Sequence, residues 1–273
     1  MSSSIELEDV GQVFRVRSDV DGRPEEFVAL EGLDLRVDPG EMVCVVGPSG
    51  CGKSTVLDLV AGLTIPTSGR VLVGGQPVTG PGLDRSVVFQ QYTLLPWRTA
   101  QGNVELALEA AGGMDRRERA DRAREYLDLV GLSDFATRYP HELSGGMKQR
   151  VAIARSLSHG PQVLLMDEPF GALDAQTREH LQEELIGIWR ETGTTVVFIT
   201  HDIEEAVFLG QRVAVMSGRP GRVSAVVDIA LDRHDTRQDI RSAPEFAHHR
   251  HEIWTLLRSA GQRARLEEVE RVA

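Results

Sequence analysis

Residues 47–54 have the types and spacing of a phosphate-binding loop. They read GPSGCGKS and fit the pattern G-x-x-x-x-G-K-[ST], between a predicted strand and a predicted helix. Glycines let the backbone curl closely around phosphates, whose charge is stabilised by loop N–H groups and by the helix N-terminus. At this spacing we expect Lys53 to reach the β- and γ-phosphates and the Ser54 hydroxyl to bind Mg²⁺. The loop predicts a site for a nucleoside triphosphate.

Two adjacent carboxylates, Asp167 and Glu168, follow a predicted apolar strand at 163–166. Ligands bind beyond the carboxyl ends of strands in a parallel sheet. We therefore expect Asp167 to meet Mg²⁺ and Glu168 to hold the attacking water. A strand that ends in Asp-Glu is common and by itself does not indicate a site. The interpretation depends on the presence of the phosphate loop in the same chain.

His201 follows another predicted strand, at 195–200, in the same way. A lone histidine at a strand end is more often structural than catalytic. Here its place in the predicted sheet favours an imidazole that points toward the phosphate.

The segment 143–150, LSGGMKQR, predicts a second anion site. Ser144 is a good N-cap, and Gly145 and Gly146 leave amides accessible at the start of a long helix. Taken alone, the segment is better explained as an ordinary capped helix.

The elements around these residues predict an α/β fold. Apolar strands alternate with helices, which favours a parallel sheet with crossover helices. The stretch from about 99 to 160 is helical instead, so we expect an inserted helical subdomain. An Asp21-Gly22 turn is expected between two N-terminal strands. The tail from about Asp232 is charged and predicted helical over 244–260.

Composition excludes several classes of protein. The chain has 273 residues, 41 acidic against 30 basic, and a net charge of -11. This acidity argues against nucleic acid as the main partner, because neutralising phosphates requires a basic face. No apolar run approaches the ~20 residues of a membrane-spanning helix, and no secretory signal is visible. Two cysteines, Cys44 and Cys51, make no disulfide framework, so we expect a cytosolic chain.

Together these motifs resemble the nucleotide-binding subunits of ABC transporters, over residues 4–225. The glycine loop, Gln90, LSGGM, LLMDEP, GALD at 171–174 and His201 occur in the family's order. The run LLPW at 94–97, followed by Asn103-Val104, resembles the importer branch for nitrate, aliphatic sulfonates and taurine. The resemblance implies a P-loop NTPase (RecA-like) core with a mostly parallel sheet and an N-terminal antiparallel β part. It implies an ABC ATPase domain at 1–225, interrupted by the helical subdomain, and a short tail at 226–273.

The resemblance also implies roles for individual residues. Phe14 would stack on adenine, and Gln90 would reach the metal and the attacking water. His201 would stabilise the γ-phosphate in the transition state. Asp174 would lie at a subunit boundary. The phosphates would be held by Gly47, Pro48, Ser49, Gly50, Cys51, Gly52, Lys53, Ser54 and Thr55.

The signature glycines would complete the site of a second subunit. Ser144, Gly145 and Gly146 would contact the γ-phosphate that the partner holds. Met147 stands where Gln is commonest, and we expect little effect because a hydroxyl and backbone amides bind the phosphate. One chain offers two anion-binding helix starts but one triphosphate loop, so a head-to-tail homodimer uses both surfaces. ATP binding would close the pair and hydrolysis would reopen it.

We therefore expect an ATP hydrolase, with ATP and Mg²⁺, that powers a bacterial ABC importer from the cytoplasmic face of the membrane. Its partners would be integral-membrane permease subunits and, indirectly, a substrate-binding protein. The alternative is a soluble ABC ATPase that acts on nucleic acid or ribosomes, for which tandem domains or a long coiled-coil insertion would be usual. A structural regulator with inactive motifs is disfavoured because every catalytic position is filled.

Overall fold

The structure is a computed structural model that describes residues 2–17, 23–231 and 240–272, with side chains through residue 260. The chain forms two compact units. The first comprises Met1–Ser2 and Gly82–Val196, and the second comprises Ser3–Pro81 and Val197–Ala273. The expected Asp21-Gly22 turn and the start of the tail at Asp232 lie outside the described residues.

The second unit contains an antiparallel sheet and the phosphate loop. Strand β1 (Ile5–Arg17) pairs with β2 (Pro24–Val37) and β4 (Ser68–Val73), and β4 pairs with the short β5 (Gln76–Pro77). This sheet is the antiparallel N-terminal part that was expected. The two-residue β5 has no sequence signal of its own and was not predicted.

A parallel pair of strands in the second unit includes the strand that leads into the phosphate loop. Strand β3 (Met42–Val46) is buried at every residue, which is typical of a strand covered on both faces. The helix α1 (Lys53–Ala61) begins directly after the loop. Strand β3 pairs in parallel with β9 (Arg212–Met216), and β9 pairs antiparallel with β10 (Val223–Asp228).

The described part of the second unit contains two further α-helices. Helix α6 (Ile203–Leu209) starts at Asp202, whose carboxylate accepts hydrogen bonds from two N–H groups of the first turn. Helix α7 (Pro244–Val272) packs against α6, β9 and β10. It continues beyond Ala260, where the predicted tail helix ended.

The first unit combines two parallel strands with four helices. Strand β6 (Arg85–Val88) pairs with β7 (Val163–Asp167). The helices are α2 (Ala100–Ala111), α3 (Arg116–Leu129), α4 (Gly145–Ser158) and α5 (Ala175–Thr192). Helices α2, α3 and α4 pack on one another in the range predicted to be helical. Strand β8 (Thr195–Thr200) carries the chain out of this unit. The division predicted from the sequence, an ATPase domain at 1–225 and a tail at 226–273, stays a prediction.

Polar caps determine where the helices of the first unit begin. Thr99, Ser144 and Asp174 each accept a hydrogen bond from a first-turn N–H group of α2, α4 and α5. At α3, Asp115 and Glu118 form a reciprocal capping box. These contacts satisfy donors that a helix start leaves unpaired. Ser144 is the cap that the sequence predicted.

Candidate nucleotide site

The loop of residues 47–52 has the backbone conformation that close contact with phosphates requires. Gly50 has φ +74 and Gly52 has φ +96, a region that side chains rarely adopt. A Cβ atom at Gly52 would lie 2.6 Å from Leu30 Cδ2, so bulk is excluded there as well. The Val56 N–H donates to the Gly52 carbonyl at 2.9 Å, which starts α1 directly beneath the loop.

Lys53 is held against its own loop. Its side chain is 7% exposed, and Nζ donates to the carbonyls of Gly47 at 2.9 Å and Pro48 at 3.1 Å. A buried ammonium needs such partners, since an unpaired charge in the protein interior is costly. Three ammonium donors allow Lys53 to hold the loop and to keep bonding capacity for an anion.

Cys51 packs inside the same loop. It is 1% exposed, its N–H donates to the Pro48 carbonyl at 3.3 Å, and burial raises the pKa of its thiol. Ser49 and Ser54 are exposed, and Thr55 is half-buried. The loop therefore exposes two serines while its thiol remains protonated and covered.

Phe14 and His201 are the other expected nucleotide residues of the second unit. Phe14 lies on β1, half-exposed, with Phe27 as its Cα partner on β2. His201 is exposed at the end of β8, immediately before the Asp202 cap of α6. It lines a cavity of about 570 Å³ together with Arg250, His251 and Trp254 of α7.

Gln90 and Glu168 of the first unit converge on Gly171. A Cβ atom built at Gly171 would lie 3.7 Å from Gln90 Nε2 and 3.9 Å from Glu168 Oε2. The amide and the carboxylate thus lie within 4 Å of one point, although 78 positions separate them in sequence order. Asp167 precedes Glu168 at the end of β7 and is half-buried.

Glu168 is also strained. Its φ is +43, in the left-handed region, and the carbonyl accepts a hydrogen bond from the Gly171 N–H at 3.1 Å. Non-glycine residues in this region cost about 1–3 kcal/mol and cluster at functional sites. The backbone conformation of Glu168 therefore lowers the stability of the folded protein.

The second predicted anion site lies at the start of α4. Ser144 is exposed and its Oγ accepts a hydrogen bond from the Met147 N–H at 3.3 Å. Gly146 is buried, and a Cβ atom there would lie 2.7 Å from Thr177 Cγ2 of α5. Gly145 faces Tyr92, whose hydroxyl would lie 3.0 Å from an added Cβ. The two glycines therefore allow close packing as well as leaving amides accessible.

Asp174 caps α5 from an exposed position. Its carboxylate accepts a hydrogen bond from the Thr177 N–H at 3.0 Å, and this bond lowers the pKa of Asp174. Its side chain has a local structural role in addition to the boundary role that the family resemblance implies.

The expected metal ligands are all oxygen donors. Ser54 offers a hydroxyl, Asp167 a carboxylate and Gln90 an amide oxygen, which is the set of donors that Mg²⁺ prefers. Ser54 and Gln90 are exposed, and Asp167 is half-buried. The chemistry of these residues fits magnesium.

The sequence is similar to a well-defined family. The family model described as "ABC transporter" matches residues 30–171, more than half of the chain. The nitrate import ATP-binding protein NrtD of Synechocystis is 51% identical over 93% of this chain and 95% of its own length. The chain belongs to the ABC transporter family.

Solved ABC structures agree with this assignment. The ATP-binding cassette MJ0796, in a dimeric post-hydrolysis state bound to ADP and Pi, is 36% identical with a TM-score of 0.70. That match covers 82% of this chain and 98% of the cassette. CbiO1 of Clostridium perfringens, part of the ABC transporter complex cbiONQ, is 27% identical over 82% of this chain and 88% of its own, with a TM-score of 0.71.

The fold and the ATPase assignment expected from the motifs are therefore confirmed. This ABC protein has a P-loop NTPase domain that binds ATP, and its ATP hydrolysis is coupled to transport. Among the described residues, no helix is long and apolar enough to cross a membrane.

One contact of the phosphate loop was not predicted from the sequence. Arg219, in the loop between β9 and β10, donates from Nε to the Gly50 carbonyl at 3.0 Å. The Pro-Gly pair at 220–221 indicates a turn there, but no pattern relates it to a loop so far away in the chain.

Proposed function

We propose that this chain is the ATP-hydrolysing subunit of a bacterial importer for a small anion such as nitrate, an aliphatic sulfonate or taurine. In this proposal Glu168 polarises the attacking water and Gln90 orients it. Lys53 neutralises charge on the phosphates, and His201 stabilises the γ-phosphate in the transition state. Phe14 stacks on the adenine ring.

The observation that carries the ATPase chemistry is the conformation of the phosphate loop. Two left-handed glycines, Gly50 and Gly52, curve the backbone, and the buried Lys53 ammonium holds the loop from inside. A loop of this shape at a helix N-terminus binds phosphate through backbone amides and the helix dipole.

Magnesium is part of the proposal. Ser54, Asp167 and Gln90 would hold it, and it would supply positive charge that stabilises the phosphates. Glu168 is not one of these ligands, and in the proposal its carboxylate acts on the water. Giving the metal to Asp167 and the water to Glu168 keeps the two roles apart, because a carboxylate that binds a cation is a poorer base.

A homodimer would complete each site. Ser144, Gly145 and Gly146 at the start of α4 would contact the γ-phosphate bound by the partner, and Asp174 would lie at the boundary. Ser144 and Asp174 are exposed, as such roles require. The similar cassette MJ0796 is dimeric in a state bound to ADP and Pi, which supports this part of the proposal.

A permease would dock where residues 94–97 lie. Trp97 is 71% exposed, which is unusual for so large an apolar side chain, and exposed apolar surface marks interaction sites. Its loop follows Gln90, so a docked permease could influence the residue that orients water. A substrate-binding protein would deliver the anion, and the chain would act at the cytoplasmic face of the membrane.

The likeness to a nitrate import protein supports import of a small anion. The rival, a soluble ABC ATPase acting on nucleic acid or ribosomes, is disfavoured by the net charge of -11. The two proposals differ in the partner that the ATP-bound protein should retain.

The test is capture of partners by tagged Glu168→Gln protein from detergent-solubilised native membranes, with ATP and Mg²⁺, followed by mass spectrometry. Glu168→Gln should abolish turnover and trap an ATP-bound dimer. Recovery of a polytopic permease is expected, and its companion binding protein can then be screened with nitrate, sulfonates and taurine. The control is Lys53→Ala combined with Glu168→Gln, which should not form the ATP-bound dimer.

Two results would contradict parts of the proposal. Steady-state hydrolysis by the Glu168→Gln protein would remove Glu168 from its catalytic role. Recovery of soluble or ribosomal partners alone would overturn the importer assignment and leave the ATP chemistry intact.

A further inference from the structure

Arg219 reaches from the loop between β9 and β10 to the phosphate loop. We propose that it is a positioning residue for nucleotide binding, which fixes the Gly50 turn and links it to the β1–β2 ribbon. The inference rests on the proposed role of residues 47–55 in holding the phosphates. Arg219 belongs to none of the six sequence motifs on which the resemblance to the family rests.

The first link is the contact with Gly50. Arg219 Nε donates to the Gly50 carbonyl at 3.0 Å. A Cβ atom at Gly50 would lie 2.4 Å from Arg219 Nη2, so the guanidinium fills the space that the missing side chain leaves. Gly50 therefore serves two needs, a φ of +74 and room for an arginine.

This contact orients a peptide group of the loop. The Gly50–Cys51 peptide is planar, so a fixed Gly50 carbonyl also fixes the direction of the Cys51 N–H. That N–H donates to the Pro48 carbonyl at 3.3 Å and closes the turn. Loss of the Arg219 bond would release this peptide, and the amides that should face phosphate would lose part of their fixed orientation.

The backbone next to Arg219 is itself anchored. The Gly221 N–H donates to the Ala29 carbonyl at 2.9 Å, and the Gly221 carbonyl accepts from the Glu31 N–H at 3.2 Å. A Cβ atom at Gly221 would lie 2.0 Å from the Cys51 carbonyl oxygen. The main chain at Gly221 is therefore held by β2 and lies next to the phosphate loop, which fixes the backbone position of Arg219.

The second link is to Phe27, the cross-strand neighbour of the residue expected to bind adenine. The Arg219 guanidinium carbon lies 5.2 Å from the centroid of the Phe27 ring. Phe27 is the Cα partner of Phe14 across β1 and β2. Arg219 thus contacts the phosphate loop and the ribbon that carries Phe14. A guanidinium can stack on a ring and donate within its plane, and an ammonium cannot do both.

A neighbouring arginine supplies the matched control. Arg222 belongs to the same loop and is also exposed, but its Nη2 pairs with the Glu31 carboxylate. An exposed pair of this kind contributes little to stability. Arg222→Ala removes the same charge from the same loop while leaving the Arg219–Gly50 contact in place.

The experiment compares Arg219→Ala, Arg219→Lys and Arg222→Ala in the purified full chain. Steady-state hydrolysis gives KM and kcat, and a fluorescent ATP analogue gives nucleotide affinity. Loss of one hydrogen bond predicts that KM rises about three- to tenfold in both Arg219 variants. The kcat at saturating ATP should stay within about twofold, because bound nucleotide restores the loop. Arg222→Ala should match the wild type.

The melting temperature of the nucleotide-free protein distinguishes a role of Arg219 in nucleotide binding from a role in overall stability. The melting temperature of the Arg219 variants should lie no more than about 4 °C below that of Arg222→Ala, the shift that loss of one hydrogen bond produces in a chain of this size. A larger drop would assign Arg219 a general structural role. Should Arg219→Ala not fold, Arg219→Lys, which keeps the charge and the aliphatic stem, carries the same KM test.

Three results would overturn the inference. They are an unchanged KM in Arg219→Ala, an equal rise in KM in Arg222→Ala, and full restoration of KM by Arg219→Lys, since the last would make charge the only requirement. Unchanged nucleotide binding by Lys53→Ala would instead contradict the phosphate-loop assignment itself.

Discussion

The Asn103 side chain pairs with both main-chain groups of Leu95. Its Oδ1 accepts from the Leu95 N–H at 2.7 Å, and its Nδ2 donates to the Leu95 carbonyl at 3.2 Å. The same Nδ2 lies 3.1 Å from the Arg98 carbonyl and 3.0 Å from that of Thr99. Asn103 is fully buried in the first turn of α2, so one amide determines the course of the loop that exposes Trp97.

Removal of this amide should destabilise the protein. Asn103→Ala leaves the Leu95 N–H and neighbouring carbonyls without their partner, at about 1–3 kcal/mol for each buried group left unsatisfied. We expect the free energy of unfolding in urea to fall by about 2–4 kcal/mol. Gln101→Ala, in the same turn, should change it by less than about 0.5 kcal/mol. Equal losses in the two variants would show that the loop does not depend on Asn103.

Trp97 should matter for partner binding and not for chemistry. The side chain is exposed, so Trp97→Ala should leave ATP hydrolysis by the purified chain within about twofold of the wild type. Recovery of the permease with the Glu168→Gln protein should drop, because buried tryptophans often dominate the binding energy of an interface. Undiminished recovery would place the docking surface elsewhere.

Gly146 allows α4 and α5 to approach each other. A Cβ atom there would lie 2.7 Å from Thr177 Cγ2, and the branched Thr177 side chain has few other rotamers. Overpacking costs about 1–3 kcal/mol, against up to about 1 kcal/mol gained in helix propensity from Gly to Ala. Gly146→Ala should therefore lower stability by about 1 kcal/mol in urea unfolding.

A compensating change tests this explanation. Thr177→Ser removes the Cγ2 atom and keeps the main-chain contact with Asp174. Combined with Gly146→Ala, it should recover most of the lost stability, giving a coupling energy of about 0.5–1 kcal/mol between the two sites. Strict additivity would mean that the added methyl group is accommodated in another way.

His159 should make stability depend on pH in the near-neutral range. It ends α4, its Nδ1 is buried without a hydrogen-bond partner among the described residues, and burial lowers its pKa. The unfolded chain, with a histidine pKa of about 6.5, binds the proton more readily than the folded chain. Stability is thus complete above about pH 6.5 and falls as pH drops toward the lowered pKa.

The measurement is urea unfolding between about pH 5 and 8. His159→Gln, which cannot take up the proton, should show a smaller loss of stability below about pH 6.5 than the wild type. Parallel curves for the two proteins would mean that His159 is not responsible for any loss.

Local patterns predicted most of the elements. Strand β8 has the predicted bounds, 195–200, and β7 extends the strand predicted at 163–166 by one residue, because an apolar run is a signal contained within a few residues. The six ordered motifs predicted the family and its ATP chemistry. The roles of Glu168, His201 and Ser144 remain predictions, since their geometry toward a nucleotide depends on a bound ligand and a second subunit.

Other features depend on residues that are distant in the sequence. The convergence of Gln90 and Glu168 on Gly171 and the contact of Arg219 with Gly50 are of this kind. So is the packing of Thr177 against Gly146, which gives a glycine of the anion site a second role. No local propensity reports such contacts, because they exist only when the chain has folded and its strands and helices have been brought together.

The amino-acid sequence by itself determined the fold class and the phosphate loop, because these follow from periodicity and residue spacing along the chain. It also indicated the family, through the resemblance of its ordered motifs. The tertiary structure decided which side chains hold the loop in place. Arg219 contacts Gly50 and Phe27 across long gaps in the chain, and the free energy of such contacts depends on distances that only the folded backbone sets.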